Sequence, residues 1–336
     1  MPDKFATAQS AHLDPPLVSV IMSCYNSERY LQQTLKSVLS QSYTRWELVA
    51  VDDGSSDNTL AMLQQASEAD ARVKVIRRLV RGGRPAITKN TGLQAATGEF
   101  IAFLDHDDLY LPNRLAAMVP SLAAHPECVA AFHDLEYVDA AGTVTGRYLN
   151  TFLDDAKAYL QKQESTDYVC SEDFYKFQVL RYAALHTITC LIARNRIPAD
   201  TLRFNEQFVV CEDTDLWIRL GQHGRMLYSP EVWSQYRLHE TNITRNLPKV
   251  QSDIVRLIEL NVNRMEAALD DVQMAQLKSR LANAYSDLGW AWRCQGEHKS
   301  ARAAYRNALR LKPELRTLRD WIKAGLHVRH SPNSIA

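Results

Sequence analysis

From Leu17 onward, short apolar runs rich in β-branched residues alternate with stretches whose apolar positions recur every three or four residues. The pattern predicts a buried strand over Leu17–Ser23, then a helix over Tyr30–Ser40 with Leu31, Leu35, Val38 and Leu39 on one face. Further strands are predicted at Trp46–Val51, Val73–Arg77 and Phe100–Leu104, separated by helices over Asn58–Ala69 and Ile87–Ala96. Strands alternating with helices indicate βαβ units and a largely parallel sheet covered by helices. Ligands of such sheets bind beyond the carboxyl ends of the strands. Here those ends carry Asp52-Asp53-Gly54-Ser55 and Asp105-His106-Asp107-Asp108.

The middle of the chain reads less regularly, and the polar, aromatic-rich stretch from Tyr148 to Phe177 has no period of its own. Cys211-Glu212-Asp213-Thr214-Asp215 is an acidic turn entering an amphipathic helix with Leu216, Trp217 and Leu220. From Val250 the pattern is helical nearly to the end. Within 282–315, Tyr285, Leu288, Gly289, Trp292, Gly296, Ala301, Tyr305, Ala308 and Pro313 are spaced as in one tetratricopeptide-like unit of about 34 residues. A lone unit cannot bury its own face, so it is expected to pack on 250–280 or 314–326.

Composition narrows the function classes. Of 336 residues, 46% are hydrophobic and 23% charged, as in globular proteins. Lys+Arg (39) balance Asp+Glu (39), which argues against a nucleic-acid binder. The longest apolar runs, Leu17–Cys24 and Phe100–Leu104, fall short of the ~20 residues that span a bilayer. Six cysteines without a CxxC pair read as reduced thiols, and the sequon Asn242-Ile243-Thr244 has no secretory context. The expected location is cytoplasmic, either free or peripheral at the inner face of the membrane. Between Arg293 and Arg329, ten Lys/Arg against three Asp/Glu leave about +7, with Arg302, Arg306 and Arg310 on one helix face. That face is either simply solvated or a contact for anionic lipid or an acidic partner protein.

The carboxylates after the fourth strand carry the clearest chemistry. Asp105, Asp107 and Asp108 repel one another unless a cation neutralises them, and Mg²⁺ shares its shell with substrate phosphates. Without a cation the same residues form a solvated acidic loop. Asp53 is placed either as an Asx turn or as an acceptor for a nucleotide's base or ribose. Ser23, Tyr25 and Asn26 offer backbone groups and a ring to the same base, and Arg84 in a Gly-rich stretch can pair with diphosphate oxygens.

These features resemble the family-two inverting glycosyltransferases of GT-A fold. The resemblance rests on Val18–Asn26, Leu39–Tyr43, Trp46–Asp57, Gly98–Asp108, Glu212-Asp213 and Tyr236-Arg-Leu-His239, and spans about 17–245. It implies a GT-A-type, Rossmann-like mixed sheet flanked by helices, with an all-α C-terminal extension. It implies transfer of a sugar from a nucleotide diphosphate, a UDP-sugar above all, to an acceptor hydroxyl with inversion, using Mg²⁺ or Mn²⁺. The acceptor would be a glycan or lipid-linked, in cell-surface polysaccharide or glycoconjugate synthesis. By match, Tyr25 and Asp53 hold the base, Asp105 the ribose or metal, Asp107 the metal, and His239 the diphosphate or metal. Asp213 is the base, with Glu212 beside the donor. Asp213 lies four positions before Trp217 and is expected to share its buried side, whereas Glu212 is expected to precede the helix. Many members carry Ala-Arg-Asn where this chain has Thr88-Lys89-Asn90, so either Arg84 or Lys89 supplies the positive charge.

The expected organisation is a lead-in at 1–16, a catalytic domain at 17–245 and a helical extension at 246–330. The domain divides into a nucleotide-binding half, about 17–110, and an acceptor half, about 111–245. Two alternatives use the same residues. One is a nucleotidyltransferase, for which Cys24-Tyr25-Asn26-Ser27 lacks the glycine-rich phosphate loop. The other is a non-catalytic nucleotide-sugar-binding scaffold that recruits partners through the extension.

Overall fold

A computed structural model describes residues 15–326; most of the expected lead-in and residues 327–330 lie outside them. The first half runs β1 (Val18–Cys24), α1 (Leu31–Leu39), β2 (Trp46–Asp52), α2 (Thr59–Ala69), β3 (Val73–Arg77), α3 (Pro85–Ala95) and β4 (Phe100–Asp105). Then come β5 (Leu109–Tyr110), α4 (Arg114–Ala124), β6 (Cys128–Val138), β7 (Val144–Arg147), α5 (Phe152–Asp155), β8 (Leu160–Lys162), β9 (Tyr168–Cys170) and α6 (Phe174–Leu180). After β10 (Leu191–Ala193), α7 (Glu212–Leu220) and β11 (Arg225–Arg237) the chain is helical: α8 (Leu247–Arg264), α9 (Asp271–Cys294), α10 (His298–Leu311) and α11 (Leu315–Gly325).

The strands form one mixed sheet in the order β3-β2-β1-β4-β10-β6-β11-β9-β8, with β5 beside β11 and β7 beside β6. The β3-β2-β1-β4 part is parallel, as the βαβ pattern requires. β10 runs antiparallel to β4 and β6. Register decides where the chemistry lands. Ser23 pairs with Val51 on one side and with Asp105 on the other. Three strands therefore end in line, and Tyr25, Asp53 and Asp105 emerge at one edge. Gly98 lets β4 start close to β1, because a Cβ there would sit 2.6 Å from the Ser19 backbone nitrogen.

Strand alternation divides the core. Val18, Val20 and Met22 face α1 and α4 through Leu35, Val38 and Leu115, whereas Ile21 faces α3 and α7 through Leu93 and Trp217. A third cluster joins Val179 of α6 and Ile218 of α7 to Val255 and Ile258 of α8 and Leu277, Leu281 and Leu288 of α9. The extension thus packs on the very helix that Glu212 and Asp213 open. Each such Leu or Ile stabilises the junction by roughly 1.5–3 kcal/mol. Helices α9 and α10 cross closely where Gly289 meets the Tyr305 ring, since a Cβ there would lie 2.7 Å from ring carbon.

Candidate active site

A cleft of about 590 Å³ opens beyond the carboxyl ends of β1, β2 and β4. Ser23, Tyr25, Asn26, Asp53, Arg84, Asp105, Asp107, Glu212, Asp213 and His239 all line it, so of the residues singled out for chemistry above the structure brings these together and leaves Asp108 out.

At the end of the cleft formed by the β1 and β2 loops, the Arg81 guanidinium stacks over the Tyr25 ring at 3.8 Å. Asn26 adopts φ +47°, and its side-chain oxygen accepts from the Ser56 backbone at 2.9 Å, fastening the β1 loop to the β2 loop. Asp53 accepts from the backbone nitrogens of Gly82 and Gly83, each at 2.8 Å, and from Arg78 Nε at 3.0 Å. Its carboxylate shapes the loop that carries Arg81 and Arg84. Arg84 itself donates to the Glu206 carbonyl.

Deeper in, Lys89 Nζ lies 3.0 Å from Glu212 Oε1 and 3.6 Å from Asp105 Oδ1. Burial works to lower the Lys89 pKa, but Asp105, Glu212 and Asp213 together hold it above the ordinary lysine value. Burial pushes Glu212 up to about 7, against the pull of Lys89 and with help from the charge of Asp213. The order expected around α7 is reversed. Glu212 is the first helical residue and is buried, whereas Asp213 is half-exposed. The cause is Cys211, whose left-handed φ of +68° turns the chain so that Glu212 points inward at Lys89. Asp213 Oδ2 accepts from Thr187 Oγ1 at 2.9 Å, and Oδ1 accepts from the Thr214 backbone at 2.6 Å.

On the opposite rim, His239 Nε2 lies 2.8 Å from Asp107 Oδ2, and Thr241 Oγ1 lies 2.9 Å from its Nδ1. Burial works to raise the Asp107 pKa, but His106 and His239 hold it below the usual carboxylate value. Asp108 does not reach the cleft. It turns into the core and accepts from the Arg237 backbone at 2.9 Å, and burial and its acidic neighbours push its pKa well up. Among the described residues, no three His, Cys, Asp or Glu side chains gather into a complete metal shell. A carboxylate and an imidazole side by side fit a Mg²⁺ or Mn²⁺ that completes its shell with water and diphosphate oxygens.

Helix α8 supports the cleft from behind. Buried Asp253 accepts from the backbones of Val209 and Val210 at 2.7 and 3.0 Å, and both residues line the cleft. Arg264 of α8 and Arg219 of α7 each hold Asp215 at 3.0 Å. Sequence reasoning passed over these contacts, and also His186, Thr187 and Arg81. His186 is half-buried, its Nδ1 atom is shielded from solvent with no hydrogen-bond partner among the described residues, and its ring packs 4.7 Å from that of Tyr236. No periodic pattern marks His186 and Thr187, because they sit at a short 3₁₀ turn.

Residues 19–183 match the family model Glycosyl transferase family 2. The chain is 28% identical over 236 residues to an Escherichia coli UDP-Glc:alpha-D-GlcNAc-diphosphoundecaprenol beta-1,3-glucosyltransferase, WfgD, covering 70% of this chain and 82% of that protein. Its fold is similar to that of Staphylococcus aureus TarS 1-349, with TM-score 0.62, 18% identity, and 93% and 87% of the two chains covered. It is also similar to the Pyrobaculum calidifontis mannosyltransferase PcManGT in complex with GDP-Man and Mn²⁺, with TM-score 0.55, 18% identity, and 94% and 81% covered. The fold is of GT-A type.

Proposed function

We propose, for a chain whose residues 19–183 match the Glycosyl transferase family 2 model, metal-dependent transfer of a sugar with inversion from a nucleotide diphosphate, foremost a UDP-sugar, to an acceptor hydroxyl. One observation carries the reading. Side chains from well-separated parts of the chain converge on one cleft, with a stacking ring at one end and an Asp–His pair at the other.

Tyr25 and Arg81 hold the base, and Asp53 keeps the Gly82–Gly83 backbone in place around it. Asp107 and His239 hold the cation, with Asp105 at the ribose or the same ion. A divalent cation held there would supply charge neutralisation at the diphosphate, and Asp107 and His239 would fix where it sits. Lys89 keeps Glu212 and Asp105 in place. As the acceptor oxygen bonds to the anomeric carbon and the bond to diphosphate breaks, Asp213 takes the acceptor proton. Thr187 and Thr214 orient its two oxygens for this. Glu212 is a second candidate base, because its pKa of about 7 suits proton transfer at neutral pH. Its ion pair with buried Lys89 makes it the weaker choice.

The acceptor is a glycan or a lipid-linked sugar of a cell-surface polymer. WfgD, by its name, acts on a diphosphoundecaprenol-linked sugar, and PcManGT was solved with a nucleotide sugar and Mn²⁺. Thermal shift and Mn²⁺-dependent hydrolysis across UDP-, GDP- and dTDP-sugars test the reading. A UDP-sugar should raise Tm and turn over; no shift and no turnover with any of them would overturn it.

A further inference from the structure

Helix α11 carries an apolar row on its outer face. Leu315, Leu318, Ile322 and Leu326 follow one another at helical spacing and are 87%, 41%, 47% and 70% exposed. The opposite face is buried through Thr317 and Ala324. Arg316, Arg319 and Lys323 flank the row, and the helix's single acid, Asp320, is held by Arg293 at 3.2 Å. On α10, Lys299, Arg306 and Arg310 share the outer face. A groove of about 310 Å³ between the two helices joins these features: Lys299, Arg302 and Arg306 line it with Gly325, the residue beside Leu326.

We propose that α10 and α11 dock the protein on an anionic bilayer surface, with the α11 row in the acyl boundary and the basic side chains on the lipid headgroups. An apolar row flanked by a surplus of positive charge, with Asp320 the helix's single acid and shared between Arg293 and Arg319, needs a partner that is both apolar and anionic, and such a bilayer is both. A second copy of this chain would bring two basic flanks together. The exposed row runs along the side of α11, so docking is parallel to the surface. The cleft then works beside the membrane, where a lipid-linked acceptor resides.

Pelleting of the full chain with phosphatidylcholine vesicles, with and without phosphatidylglycerol, tests this. The protein should pellet with the anionic vesicles only, and added salt should release it. Ile322→Asp with Leu318→Asp should lower the partition about tenfold or more. Arg306→Gln with Arg310→Gln, which leaves the apolar row intact, should lower it about twenty-five-fold, at roughly fivefold per charge. Donor hydrolysis should stay constant in both variants. Equal pelleting with both vesicles, no pelleting, or variants that bind like the parent would overturn the proposal. So would a dimer in light scattering that Ile322→Asp splits, which would assign the face to a second copy.

Discussion

Lys89 donates from Nζ to Glu212 Oε1 at 3.0 Å, and the two side chains are only 4% and 7% exposed. This pair separates two adjacent carboxylates. Glu212 is committed to a buried cation, and Asp213 is left with only hydroxyl and amide donors. Removing one partner of a buried pair strands the other's charge, at about 3–5 kcal/mol. Lys89→Met should therefore lose about that much in urea denaturation, and Lys89→Met with Glu212→Gln should regain most of it. A double variant as unstable as the single would show that the pair does not set the cost.

Asp253 extends the argument to the helical part. Asp253→Ala leaves the Val209 and Val210 N–H groups without their acceptor, at about 1–3 kcal/mol. With that rim of the cleft loosened, transfer should slow about tenfold. Asp253→Asn keeps an acceptor oxygen and should restore most of the rate. Equal loss in both variants would contradict the backbone role.

Residues 17–110 were legible because β1, β2 and β4 are buried, largely apolar runs and α1 buries one apolar face. β3, with only Val73 buried, and α3, whose buried positions include the polar Thr88, Lys89 and Asn90, were marked by their place in the alternation. β1, β2, β4, α1 and α2 lie within a residue or two of the pattern's bounds, and β3 matches it at both ends. The carboxylates were legible because register places them at strand ends. The region from Tyr148 to Phe177 was not. It folds into three- to seven-residue elements around Phe152, Phe174 and Phe177, whose packing partners are distant in sequence. Thr187 and Asp253 escaped for the same reason: they act through contacts 26 and 43 or 44 residues away. The order of Glu212 and Asp213 depends on one left-handed residue, Cys211, and Cys carries no such signal.

Cation dependence has a direct check. Asp107→Ala should abolish transfer and weaken nucleoside diphosphate binding, while the free nucleoside binds as before, since a cation held by Asp107 and His239 would neutralise the diphosphate, which the nucleoside lacks. Full activity in excess chelator would contradict the role given to Asp107 and His239.

Stability should follow Glu47 at low pH. It accepts from Ser19, from Thr97 and from Lys74, tying β1, β2 and β3 to the turn before β4. Burial works to raise its pKa, but these donors bring it from 4.5 down to about 2. A lowered carboxyl stabilises the fold above its unfolded pKa, and that contribution is lost as pH falls from about 4.5 to about 2. Thermal unfolding of Glu47→Gln should be less pH-dependent across this window than that of the parent. An unchanged slope would assign the acid sensitivity elsewhere.

The most direct measurement is the rate of transfer by Asp213→Asn, taken together with donor affinity. The amide keeps the side chain's shape and loses its capacity to take a proton. General-base assistance is worth ~10²–10⁴-fold. Turnover with acceptor should fall by about that factor while the donor Kd stays within about twofold. Glu212→Gln should act mainly on binding. Near-parental turnover in Asp213→Asn, with the large loss in Glu212→Gln instead, would contradict the assignment and place the base at Glu212.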